Sequence, residues 1–592
     1  MDDTLRERVR TEAKRHALFN ALKHGSDPDV GAIMGPLMGD NPEFRPHGDE
    51  IPGVVADVVE EVAGLQAAER RDQLAELDPE MLEALDADEE DDGTVLPDLP
   101  NAEQGAVVMR AAPNPNGPWH LGHARMPAVI GTYKDRYDGE FICRFDDTDP
   151  ETKRPDLDAY DAILEDIDYL GFEPDRVLTA SDRLETYYDH ARELIELGGA
   201  YTCDLPAEEF SALKNAGEPS PNRQKDIQTV REEFEGMIDG EYAPGEMVLR
   251  VKTDIEHKNP ALRDWVAFRI IDTPHPREEA SDYRCWPMLD FQSGIDDHLT
   301  GVTHIIRGID LQDSAKRQRF VYDYFDWEYP EVLHWGHVQI DEYDVKLSTS
   351  SIAELIEDGT LTGWDDPRAP TLASVRRRGI RGEAIVEAMI GLGMSTSDVD
   401  LAMSTVYANN RELVDDEANR YFLVRDREET PAVEVPVRGA DGAFDPEGQA
   451  VGTPPLHPDH EDRGRREIPV GDAVLLEADD LPEDGERTWL KGFGCVRYAA
   501  GDTETGEVTG VFVPTGDDIE AVREEGVPVI HWVPAEGGVD VRMRTPDGDV
   551  RGVAEPAFGA TAVDEMVQFE RVGFVRVDAH DGGASVVYYA HP

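Results

Sequence analysis

The stretch from residue 107 to residue 137 constrains the fold of this chain most, because it joins a strand, a turn and a helix. An apolar run at 107–109 predicts a short buried strand, and Pro113 and Pro115 end it. A helical pattern then extends from about Leu121 to about Tyr137. The first turn of a helix presents unpaired N–H groups and the positive end of the helix dipole, which favour phosphate. The sequence therefore predicts a phosphate-binding turn.

Two histidines lie in this turn, one on each side of Gly122. Because glycine has no side chain, a base or ribose can lie against its backbone, while His120 and His123 donate hydrogen bonds to phosphate oxygens. A bare His-x-x-His pair is more often part of a surface loop. Here the longer string Pro-Asn-Pro-Asn-Gly-x-x-His-Leu-Gly-His-Ala-Arg occupies 113–125. We therefore expect a nucleotide site.

This string resembles the His-Ile-Gly-His motif of class I aminoacyl-tRNA synthetases, in the form found in glutamyl and glutaminyl enzymes. Other motifs of that family have counterparts in the same order: Arg144-Phe-Asp-Asp-Thr-Asp149, Trp286-Pro-Met-Leu-Asp-Phe291, Asp296-Asp-His-Leu-Thr-Gly-Val-Thr-His304 and Lys346-Leu-Ser-Thr-Ser350. The last resembles the Lys-Met-Ser-Lys-Ser loop. The segments 364–371 and 376–379 resemble a region that is found in glutaminyl enzymes and in archaeal and eukaryotic glutamyl enzymes. Bacterial glutamyl enzymes lack this region.

The resemblance and the pattern of strands and helices imply a multidomain fold, α/β plus all-β. A Rossmann-like parallel sheet would carry an acceptor-binding insertion, a helical domain and C-terminal β-barrels. The expected domains are a helical extension with an acidic linker (1–100), the first catalytic half (101–199), the insertion that binds the tRNA acceptor end (200–284), the second catalytic half (285–344), the lysine loop with the helical domain (345–426) and the anticodon-binding region (427–592). Within the last region, residues 439–466 are expected to form a flexible loop.

The resemblance also implies which residues handle ATP. The expected catalytic residues are His120, His123 and Lys346. The expected ATP-binding residues are Asn116, Gly117, His120, Gly122, His123, Lys346, Ser348 and Ser350.

Glutamate needs a cation for its side-chain carboxylate and an anion for its amino group. Arg110 and Arg307 match positions of side-chain-binding arginines in glutamyl enzymes, and a guanidinium makes two parallel hydrogen bonds to a carboxylate. Asp146 matches the carboxylate that binds the amino group. The residues expected to contact the tRNA backbone are Arg376, Arg377 and Arg378.

At three positions the residue of this chain is informative when it is compared with the residue that family members carry. Thr349 stands where the loop usually carries its second lysine, so Lys346 or a Mg²⁺ ion must stabilise more of the developing negative charge. Leu289 replaces a tyrosine, which removes a hydrogen bond to substrate. Asn114 stands where glutaminyl enzymes usually carry glutamate, which favours glutamate as the substrate.

The composition is strongly acidic, with 126 Asp and Glu against 57 Lys and Arg and a formal net charge of −69. Disorder is excluded as the cause because the apolar fraction is 40% and is arranged in periodic segments. The acidity is spread along the whole chain, as expected of a protein adapted to molar salt, where the Debye length falls to about 3 Å. We therefore expect a haloarchaeal protein whose RNA contacts depend on shape and hydrogen bonds more than on a basic surface.

The expected cofactor is ATP with Mg²⁺. No zinc or other protein-bound metal is expected, because the four cysteines, at 143, 203, 285 and 495, lack Cys-x-x-Cys spacing. The expected partners are L-glutamate and tRNA(Glu), and the sequence leaves open whether tRNA(Gln) is also charged. No apolar run approaches about 18 residues, so we expect a cytoplasmic protein with no membrane partner. We also expect a monomer.

Three other interpretations stay open at this point. The first is a glutaminyl-tRNA synthetase. The second is a small-molecule adenylyltransferase that shares the His-x-Gly-His turn, although the β-rich C-terminal region and the acceptor-like insertion argue against it. The third is a catalytically silent RNA-binding paralogue, suggested by Thr349 and Leu289.

Overall fold

The structure is a computed structural model. It describes residues 3–24, 28, 30–40, 44, 51–63, 65, 67–78, 81, 95–340, 342–343, 345–438, 451–500, 510–581 and 584–592. The chain divides into two compact units, Met1–Val95 and Leu96–Pro592. Most of the acidic linker expected before residue 104, including Asp86–Asp92, lies outside the described residues.

The first unit is helical, as the spacing of its apolar residues predicts. Its described helices are α1 (Asp3–His24), α2 (Val30–Asp40), α3 (Ile51–Ala63) and α4 (Ala67–Leu77). Ala17, Leu18 and Val58 are fully buried in a core that this unit forms by itself. Burial of one apolar face of each helix accounts for most of the stability of such a bundle.

The second unit begins with alternating strands and helices. They are β1 (Val108–Ala111), α5 (Arg125–Tyr137), β2 (Glu140–Phe145), α6 (Leu157–Tyr169), β3 (Arg176–Thr179) and α7 (Leu184–Glu196). The strands pair in parallel in the order β1-β2-β3, as helical crossovers require. A 3₁₀ turn at Leu121–Ala124 precedes α5, so the helix predicted from Leu121 begins in a tighter form.

An antiparallel sheet separates the two halves of the parallel sheet. Its elements are β4 (Ala200–Cys203), α8 (Ala207–Ala216), α9 (Ile227–Ile238), β5 (Val248–Val251), β6 (Val266–Ile270) and β7 (Cys285–Pro287). The strands pair in the order β4-β5-β6-β7. Because β7 belongs to this sheet, the expected end of the insertion at 284 is too early.

The second half of the parallel sheet follows. Its elements are α10 (Leu289–Leu299), β8 (His304–Gly308), α11 (Gln312–Phe325), β9 (Glu331–Trp335) and β10 (Val338–Gln339). β8 pairs in parallel with β9. The backbone N–H of Thr303 donates to Val108 O at 2.9 Å, so β8 begins beside β1 and the two halves meet there.

The helical region comes next. Its elements are α12 (Thr349–Glu357), α13 (Leu372–Arg378), α14 (Gly382–Gly391), β11 (Val399–Asp400) and α15 (Met403–Val414). Leu372, Val375 and Ile385 are fully buried in the same apolar core as Val107 and Met109 of the parallel sheet. The helical region is therefore packed directly onto the sheet that carries the turn at 113–125, which is called the signature turn below.

The C-terminal region is rich in β-structure, as predicted. Its elements are β12 (Asn419–Tyr421), β13 (Leu423–Asp426), β14 (Ala432–Pro436), β15 (Val451–Gly452), β16 (Ile468–Pro469), β17 (Ala473–Glu477), β18 (Arg487–Leu490), β19 (Gly494–Ala499), β20 (Val511–Pro514), α16 (Ile519–Glu524), β21 (Val529–Ile530), β22 (Val533–Pro534), β23 (Val539–Thr545), β24 (Gly548–Ala554), β25 (Met566–Phe569), β26 (Gly573–Asp581) and β27 (Ala584–His591). One sheet has the order β12-β25-β26-β27-β23-β24-β13, and the others include β14-β17-β22 and β20-β19-β18-β21. Since β12 and β13 pair with C-terminal strands, the expected boundary at 426 is too late.

The stretch 439–466, expected to be a flexible loop, has two parts. Residues 439–450 lie outside the described residues. In the remainder, β15 pairs with β16, and the buried Arg466 places its Nε 2.8 Å from Glu555 Oε1. The prediction is wrong for this second part, because a buried ion pair holds it to the sheet.

No helix in the described residues is long and apolar enough to span a membrane.

Candidate active site

A cavity of about 1010 Å³ opens at the carboxyl ends of β1, β2, β8 and β9. Residues that follow parallel strands meet at this edge of the sheet, which is where open α/β folds bind ligands. The predicted residues that line the cavity are Arg110, Asn116, His120, Gly122, His123, Asp146, Arg307, Lys346, Ser348 and Ser350. Gly117 does not line it.

The signature turn is held by backbone hydrogen bonds to residues at the start of α13. Leu121 N donates to Pro370 O at 2.9 Å, and Leu372 N donates to Trp119 O at 3.0 Å. His120 thereby forms an isolated antiparallel bridge with Thr371. Sequence reasoning missed this support because it joins two segments that are far apart in the chain.

The imidazole rings of His120 and His123 stack with their centroids 3.8 Å apart. Burial lowers the pKa of His120 to about 4, and burial together with the neighbouring His120 lowers the pKa of His123 well below its ordinary value. Both rings are therefore neutral at pH 7. The Nδ1 atom of each is buried without a hydrogen-bond partner in the described part of the chain. A ligand that enters the cavity can satisfy these atoms.

The two glycines of the signature turn act differently. A Cβ on Gly122 would lie 3.1 Å from Cε1 of His120, so the absence of a side chain keeps the cavity open beside that ring. Gly117 packs instead against Thr349 and Trp364. Gly117 therefore acts on the cavity only indirectly, through the segment that carries Lys346.

The segment with Lys346 leads directly into α12. Lys346 is exposed and lines the cavity, and Ser348 is the N-cap of α12. Thr349 and Ser350, the first residues of this helix, also line the cavity. Because a helix N-terminus favours an anion, α12 adds its positive end to the charge of Lys346 at this side of the cavity.

A network of charges with little exposure includes Arg110, Arg144 and Asp146, which also line the cavity. Arg110 donates from Nε and Nη2 to the two oxygens of Asp297, at 3.1 and 3.2 Å. Arg144 donates from Nη1 to Asp297 and from Nε to Asp146, both at 2.7 Å. Burial would raise the pKa of Asp297, but Arg110 and Arg144 outweigh it and the pKa is lowered. Asp297 is thus a buried anion that fixes two cavity arginines.

Asp297 had no assigned role in the sequence analysis, although it belongs to the motif at 296–304. Its signal is an acidic pair on a helix that carries apolar neighbours, which predicts buried carboxylates with cationic partners. Asp146 accepts a further hydrogen bond from Gln292 Nε2 at 3.0 Å. Burial raises the pKa of Asp146, and Arg144 partly opposes this shift.

Arg307 is buried but only weakly paired. Its Nη1 donates to Gln318 Oε1 at 3.4 Å, and its Nη2 lies 3.9 Å from Asp297 Oδ2. Its Nε and Nη2 are buried and have no hydrogen-bond partner among the described residues. Burial lowers the pKa of Arg307, and the charge of Arg110 adds to this effect. These are the same two nitrogens with which Arg110 holds a carboxylate, so Arg307 offers an equivalent unfilled fork.

The sequence matches three family models. The model described as "tRNA synthetases class I (E and Q), catalytic domain" covers residues 106–416. Two models for the anti-codon binding domain of the same class cover residues 418–515 and 529–578. The chain belongs to the class I tRNA synthetases of the E and Q type.

Relatives of this class I synthetase match over its whole length. It is 67% identical to the "Glutamate--tRNA ligase" of Haloarcula marismortui and 68% identical to that of Halobacterium salinarum, in both cases over 100% of each chain. It is 43% identical to the "Glutamate--tRNA ligase" of Methanosarcina acetivorans, over 98% of each chain. The synthetase fold predicted from the motifs is confirmed.

The three arginines expected to contact tRNA differ in exposure in this synthetase. Arg378 is fully buried, so the prediction is wrong for this residue. Arg377 donates from Nε and Nη2 to Asp578 and lies partly exposed. Arg376 has 40% of its side chain exposed. For Arg376 and Arg377, tRNA contact stays a prediction.

The synthetase also departs from its family at the start of α10. Leu289 lines the cavity and is 42% exposed. It presents apolar surface where the family tyrosine would present a hydroxyl group.

Proposed function

We propose that this chain is a glutamate-tRNA ligase, which activates glutamate with ATP and transfers it to the 3′ end of tRNA(Glu). The observation that carries the proposal is the buried Arg307, with its Nε and Nη2 unpartnered at the wall of the cavity. A buried guanidinium with two N–H groups that lack a hydrogen bond is costly unless a ligand accepts from them. A carboxylate completes both at once, whereas the amide of glutamine offers a single oxygen and no charge.

The amino group of glutamate is assigned to Asp146, whose side chain is 8% exposed and lines the same cavity. Arg144 and Gln292 hold the Asp146 carboxylate in place. In this assignment the ammonium group of the substrate binds Asp146, and the carboxylate at the other end of the substrate binds Arg307. This arrangement supports binding of an amino acid with an acidic side chain.

ATP, bound with Mg²⁺, is a substrate in this proposal. The cavity fits a nucleotide, because Gly122 leaves room beside the stacked rings of His120 and His123 and both rings keep an unpartnered nitrogen. Lys346, Ser348 and Ser350, with Asn116 on the signature turn, are assigned to the phosphates. Zinc has no part in the proposed reaction.

Activation joins the two substrates. One oxygen of the glutamate α-carboxylate bonds to the α-phosphorus of ATP, the bond from that phosphorus to the bridging oxygen breaks, and pyrophosphate leaves. Negative charge builds on the phosphoryl group and on the pyrophosphate, so fixed cations and positioned donors supply most of the rate acceleration. Lys346 and the N-terminus of α12 provide the positive charge, while the neutral histidines donate hydrogen bonds. A terminal ribose hydroxyl of tRNA then attacks the glutamyl carbonyl, loses its proton, and AMP leaves.

tRNA(Glu) is the proposed acceptor, and tRNA(Gln) is a second acceptor to be tested. The insertion at 200–287 is assigned to the acceptor end and the C-terminal β-rich region to the anticodon. We propose that the protein acts as a monomer in the cytoplasm, since one chain carries the ATP, glutamate and tRNA sites. Light scattering in molar KCl tests the oligomeric state.

Aminoacylation of purified tRNA(Glu) and tRNA(Gln) with labelled glutamate or glutamine, in molar KCl, tests the function. The expected result is ATP-dependent transfer of glutamate to tRNA(Glu), with no transfer when ATP is omitted. A preference for glutamine would identify a glutaminyl enzyme. Adenylate formation without acylation of any tRNA would identify an adenylyltransferase, and the absence of both reactions would identify a silent paralogue.

A further inference from the structure

The Arg378 guanidinium joins three parts of the second unit. From α13 its Nε donates to Tyr589 O at 2.8 Å and its Nη2 to Ala590 O at 2.6 Å, both on β27. Its Nη1 donates to the Tyr343 hydroxyl and its Nη2 to the Tyr407 hydroxyl, each at 3.0 Å. One side chain thus connects the C-terminal sheet, helix α15 and the chain just before Lys346.

These contacts are unusual for a buried cation. Arg378 is fully buried, and among the described residues no carboxylate lies within ion-pair distance of it. Burying a charge without a counter-ion is unfavourable, and the hydrogen-bond partners of Arg378 in the described part of the chain are all neutral oxygens. An apolar side chain would fill the same space without this cost. The fork of Arg378 therefore has a use beyond packing.

The positions of Tyr343 and α13 indicate what the hydrogen bonds of Arg378 hold in place. Tyr343 precedes Lys346 by three positions, so a hydrogen bond to Tyr343 fixes the base of the segment that enters the cavity. At its other end, α13 begins at Leu372, whose N–H donates to Trp119 O beside His120. Both sides of the proposed ATP site are therefore attached to one helix, and Arg378 attaches this helix to β27.

We propose that Arg378 is a positioning residue for activation: through Tyr343 it holds the Lys346 segment at a fixed distance from the His120 turn, with β27 as the anchor. The inference rests on the proposed function, because it assigns Lys346 and His120 to ATP. Arg378 touches no substrate, since it is sealed from the cavity.

Tyr343→Phe tests this inference, and Tyr407→Phe is the matched control. Each variant removes one hydroxyl that accepts a hydrogen bond from Arg378, but Tyr407 lies on α15 and not next to the lysine segment. Pyrophosphate exchange is measured with the full chain, glutamate and tRNA(Glu) in molar KCl, together with the melting temperature of each variant. We expect Tyr343→Phe to lower kcat about tenfold, because small displacements of a positioned group are costly. Its KM for glutamate should stay unchanged, because neither Arg307 nor Asp146 is hydrogen-bonded to Tyr343.

Arg378→Lys gives a second measurement, since it keeps the charge but loses the planar fork. We expect it to reproduce the fall in kcat, and adding Tyr343→Phe to it should cause little further loss. The inference is overturned if Tyr343→Phe and Tyr407→Phe lower the melting temperature alike and leave kcat unchanged, or if both lower kcat equally. An inactive wild-type chain would instead contradict the proposed function.

Discussion

Thr349 lies directly against Gly117: a Cβ placed on Gly117 would be 2.6 Å from the Thr349 Cγ2 atom. Gly117 also has a φ of +151°, a conformation that side chains rarely adopt. The contact joins the signature turn to the first residue of α12, where the family carries a lysine. Packing thus replaces charge at this position, and it sets how closely the Lys346 segment approaches the histidines.

Gly117→Ala is therefore expected to push the Lys346 segment away from the signature turn. We expect kcat for pyrophosphate exchange to fall about tenfold or more, since reacting groups tolerate little misplacement. Gly105→Ala is the control, because Gly105 also has a positive φ, +78°, but a Cβ there would meet no atom within 4 Å. If both variants lose activity equally, backbone strain and not the Thr349 contact is responsible.

We expect Lys346 to stabilise more of the developing negative charge than a single lysine does in a family loop that carries two. We expect Lys346→Ala to lower kcat for pyrophosphate exchange by about 100-fold or more, because it removes positive charge from the departing pyrophosphate. Lys153→Ala is the matched control, since Lys153 is also exposed and lines the same cavity. An unchanged rate for Lys346→Ala would remove this residue from the mechanism.

Arg307 is expected to select the substrate side chain. Arg307→Gln should raise the KM for glutamate by about 100-fold and reduce the preference for glutamate over glutamine, because it removes a charged fork. The KM for ATP should change little. Arg319→Gln is the control, since Arg319 stacks 4.6 Å over the ring of Tyr329 and does not line the cavity. An unchanged glutamate KM would assign the carboxylate to Arg110 instead.

Local features of the fold were predictable from the sequence because they depend on neighbouring residues. The strand, turn and helix around His120 follow from apolar spacing and proline, and the β-rich C-terminal region follows from short Val-rich runs between turns. The boundary at 426 was missed because β12 and β13 form only by pairing with strands far along the chain.

In the candidate site, too, local features were predictable from the sequence and long-range contacts were not. The motifs located the residues at the strand ends, but their pairing could not be read from them. That Asp297 neutralises Arg110 and leaves Arg307 unfilled depends on how α10 packs beside the sheet. Arg378 was predicted to bind tRNA because a basic triplet in an acidic chain suggests an exposed surface. Burial against β27 is a tertiary contact that overrides this pattern.

Acidification is expected to destabilise the protein through His120. Its pKa is about 4 in the folded chain and about 6.5 when exposed, so the unfolded chain binds more protons between these values. The contribution of His120 to the free energy of unfolding is therefore fully present above about pH 6.5 and is lost as the pH falls towards about 4. The free energy of unfolding is measured with urea at constant KCl. Between about pH 6.5 and about pH 4, its decrease should be about 3 kcal/mol smaller for His120→Asn than for the wild type. Between about pH 7 and pH 8 the two curves should run parallel, and parallel curves at every pH would contradict this assignment.

Removal of salt is expected to destabilise the whole chain. With a net charge of −69 and carboxylates along its entire length, the folded state repels itself wherever screening is weak. The Debye length grows from about 3 Å at 1 M to about 10 Å at 0.1 M, so charges on neighbouring surface elements begin to interact. Unfolding separates these charges, and the melting temperature should therefore fall steadily as KCl is lowered from molar to about 0.1 M. Sucrose at matched osmolality is the control, since it stabilises compact states without screening charge and should not restore the lost stability fully. A chain that stays folded and fully active without added salt would contradict the adaptation inferred from its composition.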